Sequence, residues 1–261
     1  GSIDYIVYGY MNRGIHEGTV GIAVYHYDSL ANTNEEQVFI PSSQSYEVMK
    51  SELGQLMYVT ESGAFYIMVD GNVYGIDLNS LDTKVLVEGL SDEAVAISES
   101  NRFLAWVDSS AIRGSDTIHI IDFVTEKVTD VTESTSDYVK PLGFMQEDFV
   151  YGVAKSADVV VDAAGNTLFP MYQVKIMDTS SEEHEVLKTY EKSGYYVQNI
   201  AISGYTIYLN RIQNNGTAYV DADQDMIMNR EGDSLKVVDI ATKNTDEKET
   251  QVLITLQDEP K

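Results

Sequence analysis

Asn72-Val73-Tyr74-Gly75-Ile76-Asp77-Leu78-Asn79-Ser80 decides the fold, because it recurs. An apolar run ends in Asp, and a small polar residue follows two or three positions later. The figure returns as Ile118-His119-Ile120-Ile121-Asp122-Phe123-Val124-Thr125 and as Leu235-Lys236-Val237-Val238-Asp239-Ile240-Ala241-Thr242. Looser copies end in Asp178 and Asp28. The marker aspartates Asp28, Asp77, Asp122, Asp178 and Asp239 stand 49, 45, 56 and 61 residues apart. A period of roughly 40–50 residues holding several short strands is that of a stacked sheet unit. After each marker comes a turn and another extended run, such as Lys84-Val85-Leu86-Val87 or Lys127 to Val131. A short carboxylate in such a turn accepts backbone N–H bonds. The five aspartates are therefore expected to be structural.

Two more strands precede each marker. Gln55 to Thr60 and Ala64 to Val69 lead into Asp70-Gly71 and then Asn72 to Ile76. Asp-Gly between apolar runs predicts a two-residue hairpin, since Gly tolerates positive φ. The next unit reads Ala94 to Ser98, Phe103 to Val107, Thr117 to Ile121 and Lys127 to Val131. Four short strands per unit is a blade pattern.

A sandwich strand buries one face and alternates apolar with polar. Phe103-Leu104-Ala105-Trp106-Val107 and Phe65-Tyr66-Ile67-Met68-Val69 are apolar on both faces, so both faces must be covered. Short connections favour antiparallel neighbours. An antiparallel sheet packed on both sides is a blade between two blades. The chain resembles the broad class of repeat β-propellers, WD40-like and TolB-like, over nearly its whole length. The Gly-His and Trp-Asp signatures of true WD40 repeats are absent. The resemblance implies an all-β propeller of about five four-stranded units, either a five-bladed ring or a segment of a larger one, and little about function, because the fold serves many roles.

The units are expected at about 3–41, 53–89, 93–133, 138–190 and 195–256, in one domain over 1–261. The first unit lacks its innermost strand. Residues 42–52 read as a linker, with Tyr46 to Met49 as a candidate ring-closing strand, and no long helix is expected. The loops between second and third strands are placed at 12–18, 70–72, 109–116, 155–170 and 213–234. They share one end of the blades, where binding function gathers on a rigid scaffold.

Among 261 residues, 42 are Asp or Glu and 17 Lys or Arg, a net charge of −25. A polyanion repels phosphate backbones and anionic lipid, which argues against nucleic acid and membrane surfaces as partners. The lack of cysteine removes disulfides, thiolate metal sites and Cys nucleophiles. No run reaches the roughly 18 apolar residues of a membrane helix. Gly1-Ser2 ahead of an immediate strand predicts a domain cut from a longer protein, its signal or anchor lying elsewhere. An extracellular or cell-envelope location is expected.

Asp221-Ala222-Asp223-Gln224-Asp225 resembles the start of an EF-hand-like calcium loop. Met226 stands where that loop needs Gly, and Gly232 where it needs Glu; a solvated acidic loop is the plainer expectation. Asn12-Arg13-Gly14-Ile15-His16-Glu17-Gly18 sets Arg13, His16 and Glu17 between glycines, a trio suited to an anion or to acid–base work, or else a hairpin tip. The other histidines are scattered, so a His-cluster metal site is not expected. No Gly-x-Ser-x-Gly elbow or phosphate loop occurs. Tyr195, Tyr196 and Tyr219 are candidates to reach the loop end and stack on a sugar or peptide.

Two functions follow. One is a non-catalytic binding or scaffold propeller of a bacterial envelope or surface protein, without a cofactor, holding a protein or carbohydrate through its long loops. The other is a calcium-dependent propeller hydrolase or lyase acting on a glycan or ester around Asp221, Asp223 and Asp225.

Overall fold

The structure, a computed structural model, describes residues 2–91, 94–108, 114–161, 165–181, 183–228, 239–244 and 250–255. Contacts divide the chain into Gly1–Ile227 and Met228–Lys261.

The first unit is a succession of antiparallel sheets joined as meanders. Sheet 1 has three strands, β1 (Ser2–Tyr10), β2 (Val20–Asp28) and β3 (Thr33–Pro41). Asp28 closes β2, so β2 is a third strand and β1 a second one, as the expected lack of an innermost strand requires. A helix follows, α1 (Tyr46–Gln55). Sheet 2 is β4 (Met57–Val59), β5 (Ala64–Val69), β6 (Asn72–Asp77) and β7 (Thr83–Val87). Sheet 3 is β8 (Val95–Ile97), β9 (Phe103–Trp106), β10 (Thr117–Asp122) and β11 (Lys127–Thr132). Sheet 4 uses β12 (Asp137–Met145) and β13 (Asp148–Lys155). An excursion then forms the small hairpin β14 (Val160–Val161) and β15 (Thr167–Leu168) before β16 (Gln173–Met177) and β17 (Val186–Glu191) complete the sheet. Sheet 5 is β18 (Tyr196–Ser203), β19 (Thr206–Asn214), β20 (Tyr219–Asp221) and β21 (Asp225–Met228), the last two both pairing with β19.

Alternation carries the core. Phe65, Ile67 and Val69 of β5 pack towards sheet 1 with Ile22, Val24 and Ile40. Their neighbours Tyr66 and Met68 pack towards sheet 3 with Leu104, Ile121 and Phe123. Phe103 and Ala105 meet Phe149, Tyr151 and Val153 across the next interface. Val150, Val174 and Ile176 meet Val197, Ile207, Leu209 and Ile227 across the last. Each such side chain contributes roughly 1.5–3 kcal/mol by leaving water. Sheets covered on both sides in this way are the blades of a β-propeller.

The marker aspartates do one job. Asp77 Oδ1 accepts the N–H groups of Asn79 and Ser80 at 2.8 and 3.1 Å. Asp28 accepts from Leu30 and Ala31, Asp122 from Val124, and Asp178 from Ser180. The side chain of Asp239 lies outside the described residues. At the other end of β5, Asp70 and Gly71 both have positive φ, 53° and 69°, as the tight hairpin demands. A Cβ on Gly71 would stand 2.7 Å from the carbonyl oxygen of Leu90, so glycine is required twice over.

Two sequence readings are corrected. Residues 42–52 are not a linker, and Tyr46 to Met49 are not a strand. Ser45 caps α1, its Oγ accepting the Val48 N–H, and Met49 and Leu53, one turn apart, are buried between sheets 1 and 2. Glu52 of α1 accepts the N–H groups of Asp70 and Gly71, closing the helix over that hairpin. The excursion expected at 213–234 is instead a short turn followed by β20 and β21. Asn215 Oδ1 accepts the N–H groups of Thr217 and Ala218, which reverses the chain within four residues. Tyr219–Asp221 and Asp225–Met228 pair with β19 in sheet 5, and Leu235 to Val238, expected as a third strand, lie outside the described residues.

In the second unit, β22 (Asp239–Asn244) and β23 (Thr250–Thr255) pair antiparallel, with Asp239 opposite Thr255.

Candidate functional site

The end of the blades that carries the second-to-third strand turns also carries a cleft of about 510 Å³. That volume lies within the roughly 300–1,000 Å³ range of small-ligand sites. It is built by β14 and β15 on one side and by sheet 5 on the other. Val160 and Leu168 of the small hairpin form an apolar wall. Sheet 5 supplies the rest through its register. Ile212 pairs with both Tyr196 and Asp221, and Asn214 pairs with Tyr219. Positions two apart on a strand share a face, so Ile212, Asn214, Tyr219 and Asp221 present one surface. Tyr196 and Tyr219 meet at right angles, with ring centroids 5.3 Å apart. The turn between β19 and β20 is rigid: Asn214 Oδ1 accepts the Gly216 N–H at 2.8 Å, and Asn215 Oδ1 also accepts the Thr217 hydroxyl. Burial pushes the Tyr219 phenol above its ordinary value, and the negative charge of Asp158 adds to the shift.

Charged clusters are built on sheets 4 and 5. Asp137, 4% exposed, accepts from Lys155 Nζ at 2.7 Å, from Ser134 Oγ at 2.6 Å and from the Tyr172 hydroxyl at 3.0 Å. Burial pushes its carboxyl up, but those bonds outweigh burial and hold it below the usual range. Arg211, 7% exposed, donates to Asp225 Oδ2 at 3.0 Å and to the carbonyl oxygen of Asp223 at 2.6 Å. Its guanidinium lies over the Tyr195 ring at 4.3 Å.

Each residue singled out in the sequence now has a place. Asp221 lines the cleft, Asp223 offers Arg211 its backbone carbonyl, and the Asp225 carboxylate is held by Arg211, Tyr190 and the Met226 N–H. The three carboxylates are not brought together around a common point. Asp221 closes β20, Asp225 opens β21 and Asp223 lies in the connection between them, and Arg211 forms an ion pair with Asp225. Among the described residues no three His, Asp or Glu side chains converge as metal ligands do.

His16 stacks on Phe39 at 3.7 Å and meets Glu36 at 2.6 Å. Its carboxylate partner is therefore Glu36 of β3, not Glu17, whose N–H closes a turn on the Gly14 carbonyl. Arg13 is exposed on that turn. His26 and His119, read as strand residues, pair with Asp4 and Asp130. The sequence reading placed a hairpin turn within the 155–170 excursion but missed its role as a cleft wall, and it missed the short β19–β20 turn. The Asn214-Asn215-Gly216 run was the signal for the second.

No family model matches the chain, and no curated protein matches it. Solved structures similar to it include the β-propeller domain of the Trilobed protease from Pyrococcus furiosus, at 14% identity over 99% of this chain and 75% of that one, with a TM-score of 0.35. The tricorn protease is similar at 14% identity over 97% of this chain, with a TM-score of 0.36, and this chain spans 28% of its length. TolB from Acinetobacter baumannii is similar at 14% identity over 85% of this chain and 55% of that one, with a TM-score of 0.27. The fold assignment stands on the blade packing described above. No helix among the described residues is long and apolar enough to cross a membrane.

Proposed function

We propose that this chain is a non-catalytic binding propeller of an extracellular or cell-envelope protein, holding a protein or carbohydrate ligand at the loop end of its blades. The observation that supports this reading is the cleft between the β14–β15 hairpin and sheet 5. It combines an apolar wall, a tyrosine pair and a few polar groups on a rigid frame, the usual make-up of a ligand pocket. The turn that forms one rim is held by its own side chains, so little ordering is left for binding to impose. The charged groups of sheets 4 and 5 at Asp137 and Asp225 are neutralised within the chain, which suits a framework for recognition.

A screen of the whole chain against glycans and peptides, with Tyr219→Ala as control, tests this. A ligand that loses about tenfold in affinity in the variant supports the reading, as expected for removing one aromatic contact. Turnover of a glycan or ester panel by the wild-type chain, or binding indifferent to Tyr219, overturns it.

A further inference from the structure

Four times, this chain sets a cation beside both an aromatic ring and a carboxylate. Lys155 lies over the Tyr172 ring at 4.6 Å and bonds Asp137. Arg211 lies over Tyr195 at 4.3 Å and bonds Asp225, and Lys192 shares both partners. Arg102 lies over Phe103 at 4.8 Å and bonds Asp122. A ring face is negative and attracts ammonium or guanidinium, and the carboxylate supplies the counter-charge.

The cleft repeats two parts of this arrangement. Tyr219 and Asp221 lie on its surface, while no lysine, arginine or histidine lines it. Among the described residues no hydrogen bond or ion pair holds the carboxylate of Asp221 or of Asp158. Asp158, at the end of the one-turn helix Ser156–Asp158, lies close enough for its charge to act on Tyr219. Tyr196 stands perpendicular to Tyr219, so the two rings offer an edge and a face. Ile212, Val160 and Leu168 suit the methylene stem of a long side chain. The net charge of −25 draws cations towards the whole surface.

We propose that the cleft receives the lysine or arginine side chain of a basic peptide, with Asp221 as counter-ion, Asp158 as a second charge and Tyr219 as the aromatic wall. This rests on the reading of the loop end as a binding surface, and it names the ligand's chemistry.

The test uses the whole chain with labelled methyl groups at Val160, Leu168 and Ile212. Three blocked pentapeptides, glycine with a central Lys, Arg or Gln, and a neutral glucose oligosaccharide serve as probes. The Lys and Arg peptides are expected to shift those methyl resonances, and the Gln peptide and the sugar are not. Affinity should fall as salt rises from 20 to 500 mM, roughly the range over which exposed charges become screened. Asp221→Asn should weaken binding about fivefold and Asp158→Asn about twofold, the scale of exposed ion pairs, with the spectrum otherwise unchanged. If the Gln peptide or the sugar shifts the same methyls equally well, the cation assignment is overturned and the binding surface stands. If no probe moves them, both are overturned.

Discussion

The two ends of the blades are built by different rules. At the marker end sheets 1 to 4 each close their third-to-fourth strand turn with the same device, an aspartate accepting backbone N–H groups. At the loop end sheets 2, 4 and 5 differ from one another. Sheet 2 has a tight Asp-Gly hairpin capped by a helix, sheet 4 an inserted hairpin, and sheet 5 an asparagine-stiffened turn. Repetition marks what every blade needs in order to exist. The departures mark where blades are free to differ, and the cleft lies among them.

The interior joins both ends, so its loss should produce the largest effect and should not distinguish them. Phe149 is fully buried between sheets 3 and 4. Phe149→Ala should cost about 3–5 kcal/mol in urea unfolding, since the void cannot refill. A cost under about 1 kcal/mol would mean that the two sheets do not share a packed interface.

Next comes the loop end's own anchor. Asp137→Ala leaves the Ser134 and Tyr172 hydroxyls without their acceptor at the start of β12. Loss of about 1–3 kcal/mol is expected, because the site is buried while Lys155, 47% exposed, can turn back to water. The marker end should yield less. Asp122→Ala removes the acceptor of the Val124 N–H and the partner of Arg102, and water already screens that pair. About 1–2 kcal/mol is expected, and Asp77→Ala, at a fully exposed turn, should cost less again. Reversal of this order would erase the distinction between the ends.

Acid should expose the marker end as a group. The N–H groups of Ala31 and Leu30 hold Asp28 below the usual carboxylate value, those of Asn79 and Ser80 do so for Asp77, and the Ser180 hydroxyl does so for Asp178. Burial pushes Asp122 up, but Arg102 and the Val124 N–H outweigh it. A carboxyl with a lowered folded-state value binds fewer protons folded than unfolded. Its contribution is therefore complete above about pH 4 and is lost as pH falls through the folded-state values. The urea midpoint should drop from about pH 4 downward. Relief of self-repulsion in so acidic a chain acts in the opposite sense. Asp122→Asn separates the two, because its acid limb should be shallower than that of the wild type.

Legibility in the sequence followed the same division. The two-faced apolar runs of β5 and β9 and the marker aspartates were readable because one physical demand recurs in every blade. Helix α1 was not, because its short amphipathic face shows only Met49 and Leu53, and Val48 just before them reads equally well as strand. The acidic run at Asp221 to Asp225 looked like a cation loop because carboxylates two apart fit both that loop and a strand. The ion pair that Arg211 of β19 makes with Asp225 is invisible to local spacing.

The smallest expected effect on stability is the sharpest test of the comparison. The carboxylate of Asp221 carries no hydrogen bond or ion pair among the described residues and is exposed on the cleft, so the fold has nothing to lose with its charge. Asp221→Asn should leave the urea midpoint within about 0.5 kcal/mol of the wild type, as surface substitutions do. Asp137→Asn, on the same end of the blades, should not. If Asp221→Asn unfolds the chain as readily as Asp137→Asn, then Asp221 belongs to the framework, and the difference drawn between the two ends of the blades fails at the residue on which it most depends.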